Sequence, residues 1–320
     1  MVLAALAVMA YVAQRFAQRN DELRRNALDF TQFAEARAAS ASALAATLYW
    51  NATRPLMPAG RGTVLAQLRH DGQRYQTPEG AVLTVTDGRS LLSLNVADRR
   101  VLLALLVQDG VPLQRAQAMI DVLDDYIDTD NLKRLNGAEA AEYHALGLPA
   151  PRNDWLLSVR ELEGMPLWRD DPKRLARLAR LFGVQINGQI NPATASPEVL
   201  RALLPTANPG QIDLLLNLRR LDQLHDGRSA QRLTGLPLDS DELILAPGLD
   251  ARITVWAPGL PRALEYNAKL TPAGELGPWV ITQQHSATRL SSPHEAPPAL
   301  AFPLYVAPDS NAAAASHPAP

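Results

Sequence analysis

The chain has 320 residues, of which 47% are hydrophobic and 20% charged, and a formal net charge of -2. That length fits two domains, or one domain with a large insertion, and the near-neutral balance implies no polyanionic partner. With no cysteine, disulfides, thiol catalysis and zinc–thiolate sites are excluded, while the compartment stays open. Aromatic content of only 5% argues against a stacking platform for single-stranded nucleic acid.

Residues 1–54 contain neither Gly nor Pro and are rich in Ala, Leu, Gln, Glu and Arg, which favours one continuous helix of roughly 80 Å. Pro55 and Pro58 end it. The opening MVLAALAVMAYVA is apolar all round. From Leu23 the pattern is one-sided: Leu23, Ala27, Phe30, Ala34, Ala41, Leu44 and Leu48 define a face expected to lie on a sheet. A spanning helix needs about 20 apolar residues, and this run stops before Gln14 and Arg15, although Arg15 can snorkel. No basic segment precedes the run and no clear small-residue cleavage site follows, which disfavours a signal peptide. A start residue set too late would account for the short run. On balance the sequence favours membrane anchoring over a wholly soluble helix.

Residues 62–96 change character. GQRYQTPEG supplies a strand and a turn. AVLTVTDGRSLLSLNV alternates and is β-branched, with Asp87-Gly88 placed for a hairpin turn. From Val101 the period becomes helical, with Gly110 separating two helices and Pro112 opening the second. Residues 128–147 read as an acidic, irregular loop. SVRELEGM and DPKRLARLARLFG follow as helices, the latter capped by Asp171 and stopped at Gly183. Ser196 caps Pro197–Leu204, whose Val199, Leu200, Leu203 and Leu204 share a core face, and PGQIDLLLNLRRLDQL forms its partner helix. ARITVW, PRALEYNAKL and GPWVITQQ return to period two, with turns at Pro258-Gly259 and Ala273-Gly274. Strands thus flank a helical block, the pattern of an α+β fold with a helical insertion in a sheet. The expected division is 1–60 for the N-terminal helix, 61–100 with 250–288 for the sheet, 101–249 for the helical insertion, and 289–320 for a disordered Pro/Ala-rich tail.

The stretch QINPATASPEVLRALLP (189–205) and its partner helix read as a helix-hairpin-helix unit. In DNA-binding versions, free backbone amides in the hairpin and the following helix N-terminus hold a phosphate. Here the hairpin is PTANPG (205–210). Pro205 and Pro209 have no N–H to give, and no lysine lies between Lys173 and Lys269. Phosphate affinity scales with the cations engaged, so the DNA reading is the weaker alternative and a leucine-burying role the stronger.

Four stretches, in order, carry a resemblance: VTDGRSLLSLN (85–95), DDYIDTDN with GAEAAEY (124–143), LLSVRELEGM (156–165) and INGQINPATASPEVLRALL (186–204). Together they resemble the type II secretion minor pseudopilin K family. The resemblance implies a pilin-like long N-terminal helix packed on an antiparallel sheet, with a large all-helical insertion between strands. It implies a non-enzymatic subunit with a single-pass anchor in the bacterial inner membrane and a periplasmic head. Such a subunit assembles with two other minor pseudopilins to cap and initiate a filament for protein export, with Leu23, Ala27, Phe30 and Ala34 as the partner-helix interface. The family typically lacks the glutamate that other pilins carry near their mature start. No acid precedes Asp21 here, so that costly intramembrane carboxylate is absent. The runner-up is a membrane-tethered or soluble helix-hairpin-helix nucleic-acid binder.

The acidic loop is the one candidate ligand site. Calcium takes six to eight oxygens, and the resemblance implies calcium in this region, with Asp128, Asp130 and Glu139 where acids are expected. Ala140 stands where another acid would be plausible, and the EF-hand spacing is absent. The loop therefore reads either as a calcium site or as a solvated acidic loop. Asp124 and Asp125 read as the polar edge of their helix. His70, His144, His225, His285, His294 and His317 are scattered and expected mostly at the surface. No G-x-S-x-G, Walker or Rossmann fingerprint appears, so catalysis finds no support.

Overall fold

The computed structural model describes residues 2–275, 277–287 and 298–303. Helix α1, Val2–Thr53, runs unbroken for 52 residues, about 78 Å at 1.5 Å per residue. Among the described residues no helix is long and apolar enough to cross a membrane. Only the last third of α1 meets the rest of the chain. Ala36, Ser40, Ala43, Leu44, Thr47, Leu48, Trp50 and Asn51 are buried, recurring at three and four as a docked face requires. The docking face expected from Leu23 onward is therefore corrected. Leu23, Ala27, Phe30, Ala34 and Ala41 are exposed, and only Leu44 and Leu48 of that row reach the sheet. The head reaches α1 only from about Gln32 and Ala36 onward, so the earlier members of the row extend beyond it.

Three short strands follow, β1 (Leu56–Met57), β2 (Gly60–Thr63) and β3 (Ala66–Arg69), forming an antiparallel sheet beside the end of α1. Trp50 Nε1 donates to Arg61 O at 2.9 Å and ties this sheet to the helix. Next come β4 (Asp71–Gln76) and β5 (Val82–Asp87). The chain then leaves the sheet and enters the helical region. Its elements are β6 (Leu92–Ser93), α2 (Arg99–Gln108), α3 (Leu113–Ile127), α4 (Ala140–Ala145), α5 (Pro172–Leu178), β7 (Phe182–Gly183), α6 (Pro197–Leu203), α7 (Pro209–Arg220) and α8 (Gly227–Thr234). It returns as β8 (Asp250–Trp256), β9 (Ala263–Leu270), β10 (Trp279–Ala287) and β11 (Leu300–Ala301).

The main sheet has the order β10-β9-β8-β5-β4-β11. All its pairs are antiparallel except β11 on β4. β5 and β8 are neighbours, with Asp87 opposite Ala251, so the helical region is inserted between two adjacent strands and its ends meet at one neck. One sheet face packs on α1, where Leu44, Leu48 and Trp50 join Tyr75, Leu83, Val85, Ile253, Val255 and Phe302. Gly259 lets the β8–β9 turn approach α1. Its φ is +99°, and a Cβ there would lie 3.1 Å from Gln32 O and 3.2 Å from the Ala36 Cβ.

The insertion holds two apolar clusters. One gathers α2, α3, Trp168 and Phe182; the other gathers Val199, Leu200, Ile212, Leu215 and Leu236. Several local expectations change. Asp87-Gly88 is not a hairpin turn: Asp87 caps a 3-10 turn over Gly88–Ser90, and β5 pairs with β4 and β8 instead. SVRELEGM forms a 3-10 turn, Val159–Gly164. The Asp171-capped helix ends at Leu178, because Phe182–Gly183 is drawn into parallel pairing with Leu92–Ser93. The loop expected over 128–147 contains the short helix α4. Most of the expected tail, 289–320, lies outside the described residues; of the part inside, Leu300–Ala301 pairs with Tyr75 and Gln76 of β4.

Candidate functional site

The neck of the insertion is built around one buried carboxylate. Asp87 is wholly buried. Its Oδ1 accepts from Gly248 N at 2.8 Å and Arg89 N at 3.1 Å, and its Oδ2 from Asn191 Nδ2 at 3.2 Å and Thr194 Oγ1 at 3.1 Å. Burial pushes this carboxyl up, opposed by those four hydrogen bonds. Arg89 adds a link from Nη1 to Ala246 O at 3.1 Å, and Gln185 Nε2 donates to Gly88 O and Leu91 O. The outgoing strand, the returning strand and the INPATA segment are thus stitched to one side chain.

Beneath the neck lies His70, buried against expectation. Its Nε2 lies 2.9 Å from Asn51 Oδ1 and donates to it. Burial and then the positive charge of Arg61 push this imidazole down to about 3. His144 and His225 are exposed, His285 is half-buried, and His294 and His317 lie outside the described residues.

In the acidic loop, Asp128, Asp130 and Glu139 come together, each offering a carboxylate oxygen within 4.8 Å of the others. Oxygens sharing one calcium ion at about 2.3–2.6 Å are separated by no more than about 5 Å, so the spacing fits. The surroundings fit as well. Glu139 is 5% exposed, yet neither of its oxygens makes a well-formed hydrogen bond, and Asp128 Oδ1 also lacks a partner. A buried carboxylate without donors is costly unless a cation joins it. Burial, then the negative charges of Asp125, Asp128, Asp130 and Glu142, push the Glu139 carboxyl up.

Asp125 is corrected: it is not a polar helix edge but fully buried. Arg134 bonds its Oδ1 at 2.7 Å and bonds Asp128 Oδ2 as well, leaving Asp128 Oδ1 turned elsewhere. Gly137 makes room for this pair, since a Cβ there would overlap Asp125 Oδ2. Asp124 is bound to Arg99 at 2.7 Å. Arg134, Asp125 and the Asp87 network went unrecognised in the sequence, although D-x-x-D followed by Arg six residues later was the available signal for the first two.

On α1, Leu23, Ala27, Phe30 and Ala34 form a single exposed row. Phe30 is 74% and Leu23 59% exposed. At 100° per residue this row sits about 110° around the helix from the docked face. At the helix-hairpin-helix, Ser196 caps α6 through Val199 N as expected. In the hairpin, Asn208 Oδ1 accepts from Gln211 N and Gln211 Oε1 from Asn208 N, both at 3.0 Å, a reciprocal capping box.

A long helix laid on an antiparallel sheet, with an inset between neighbouring strands, defines a pilin-like fold. A family model described as "Type II secretion system (T2SS), protein K", first domain, matches residues 82–184. That stretch, about a third of the chain, is thus similar to the first domain of the type II secretion protein K family. The fold of the chain is similar to that of a chain in the crystal structure of the GspK-GspI-GspJ complex from the enterotoxigenic Escherichia coli type 2 secretion system. That likeness has a TM-score of 0.51 at 18% identity and covers 85% of this chain and 99% of that one. No curated protein sequence matches it.

Proposed function

We propose that this chain is a tip subunit of a type II secretion pseudopilus, non-enzymatic, which assembles with two other minor pseudopilins to initiate and cap the filament. The observation that carries the reading is the exposed row on α1. Leu23 and Phe30 stand in solvent on a stretch of the helix that the chain's own sheet does not reach, with the small Ala27 and Ala34 between them. Such a row suits close packing against neighbouring helices. The complex in the similar crystal structure joins three such proteins, which supports a heterotrimer here. The apolar start of α1 is read as the inner-membrane anchor, with the head on the periplasmic side.

Calcium is proposed as a structural ion held by Asp128, Asp130 and Glu139. It would neutralise three crowded carboxylates and hold the loop between α3 and α4 in one shape, without a chemical step.

Phe30→Asp tests the assembly reading. The variant should keep the wild-type melting temperature, because Phe30 is exposed in the isolated chain. It should recover at least tenfold less complex when co-purified with the two other minor pseudopilins of the same system. Undiminished co-purification would remove the α1 row from the proposal.

A further inference from the structure

Strand β10 ends the main sheet. Among the described residues no strand lies beyond it. Thr271 N donates across to Pro278 O, whereas Leu270 N donates away to Leu249 O. Alternation along β9 therefore turns Asn267 and Glu265 toward β10. Their partners Gln283 and His285 face back, so the amides of Gln284 and Ser286 point outward. The edge is nine residues long, WVITQQHSA. It carries no Lys, Arg, Asp, Glu or Pro, the residues that ordinarily blunt an exposed edge. Val280 and Ile281 are each 42% exposed beside it, and a bulge between Ile281 and Gln283 is its one irregularity.

The end of β10 runs into a cleft of about 710 Å³ between the sheet and the segment that carries Val159–Gly164 and α5. Its floor is polar. Glu265 sits between His285 at 3.0 Å and Arg252 at 3.5 Å, and Arg252 Nη2 donates to Phe182 O. Glu163 is matched by Arg160 at 3.5 Å. Arg169 and Arg180 also line the cleft, are exposed, and have no acidic partner among the described residues. The cleft therefore has a surplus of positive charge beside a strand edge that has no partner among the described residues.

We propose that the β10 edge and this cleft together bind an extended, acidic segment of a partner protein by strand addition. Backbone bonds to the free edge supply the affinity, and alternate side chains on the cleft face bring carboxylates to Arg169 and Arg180. The chain's own sequence after β10, SSPHEAPP at 291–298, suits the edge poorly, because proline interrupts a ladder. A second copy would bring no carboxylate to Arg169 and Arg180, since its β10 edge carries none. The inference does not rest on the α1 reading.

The probe is a labelled seven-residue peptide of alternating valine and glutamate, titrated with the full chain at low salt and followed by fluorescence anisotropy. A valine–lysine peptide is the control. Saturable binding of the acidic peptide alone is expected. Gln284→Pro, which blocks an outward amide, and the double variant Arg169→Glu/Arg180→Glu should each weaken it at least tenfold. If Gln284→Pro unfolds on melting, the charge reversal alone decides. No saturable binding, equal binding of the lysine peptide, or affinity unchanged in the folded variants overturns the proposal. A self-associated form that Gln284→Pro dissociates in sedimentation assigns the edge to a second copy and overturns it equally.

Discussion

Replacing Asp87 with alanine removes the acceptor shared by four donors at the neck. Two of them keep another partner: Asn191 Nδ2 still reaches Pro58 O at 2.9 Å, and Thr194 Oγ1 reaches Asn191 O at 3.3 Å. The other two, Gly248 N and Arg89 N, lose the only acceptor they have among the described residues. An orphaned buried donor costs about 1–3 kcal/mol. Two of them bring the loss to about 2–6 kcal/mol, offset in part by no longer burying a carboxylate. The expected destabilisation is about 2–4 kcal/mol, read as a shift in the urea midpoint with the slope unchanged. Asp87→Asn keeps an oxygen for the two amides and can donate to Thr194 Oγ1, although its N–H then meets the Asn191 amide donor, so its loss should be smaller, about 1–2 kcal/mol. The amide of Gly248 should exchange with solvent faster in the alanine variant than in the asparagine one. An alanine variant within about 0.5 kcal/mol of wild type, or one no worse than asparagine, would refute the view that this carboxylate fastens the insertion to the sheet.

Two further outcomes follow from buried or crowded titratable groups. The His70 imidazole is held near 3 in the folded chain and near 6.5 when unfolded, so its contribution is complete above about 6.5 and is lost as pH falls toward the folded value. From pH 6.5 to 5 that amounts to about 2 kcal/mol. Urea midpoints at pH 7 and pH 5 should converge for His70→Asn relative to wild type, and parallel shifts in both would show that His70 is not held neutral. Calcium at about a hundredfold over its dissociation constant should stabilise the chain by about 2.7 kcal/mol, measured as a rise in melting temperature that Glu139→Gln reduces strongly. A wild-type chain indifferent to calcium, or a variant with the same response, would return the loop to a solvated acidic segment.

The features legible in the sequence are those fixed by near neighbours. The unbroken α1 follows from a Gly- and Pro-free stretch, and the caps at Ser196 and Asp171 act over three residues. Period two revealed β8, β9 and β10. The features that were not legible depend on partners far along the chain. Asp87 looked like half of a turn because Asp-Gly is a turn pair locally, but its ligands lie 104, 107 and 161 residues away. His70 has the composition of a surface residue and is buried only because α1, through Asn51, closes over it. The acidic triad was legible as three acids; that Glu139 is buried and unpartnered, and that Arg134 restrains Asp128, needed the fold of the loop.

The helix-hairpin-helix likeness is the sharpest case of one backbone pattern with two physical uses. A phosphate needs free amides at the second helix's start and cations around it. At α7 the amide of Gln211 is bound by Asn208 Oδ1, Pro209 has none, and the amide of Asn208 is bound by Gln211 Oε1. Arg219 is turned inward to Ala195 O at 2.6 Å, and the neighbouring Arg69 is matched by Asp71 and Asp222. Ahead of α6, Asn191 and Thr194 are directed to Asp87 rather than to solvent. Val199, Leu200, Ile212 and Leu215 meanwhile fill one apolar cluster, each contributing about 1.5–3 kcal/mol on burial. These groups are thus turned to capping, to the neck and to the core rather than toward a nucleic acid. What the two helices hold is the insertion itself, and the neck fastens it to the sheet that α1 carries.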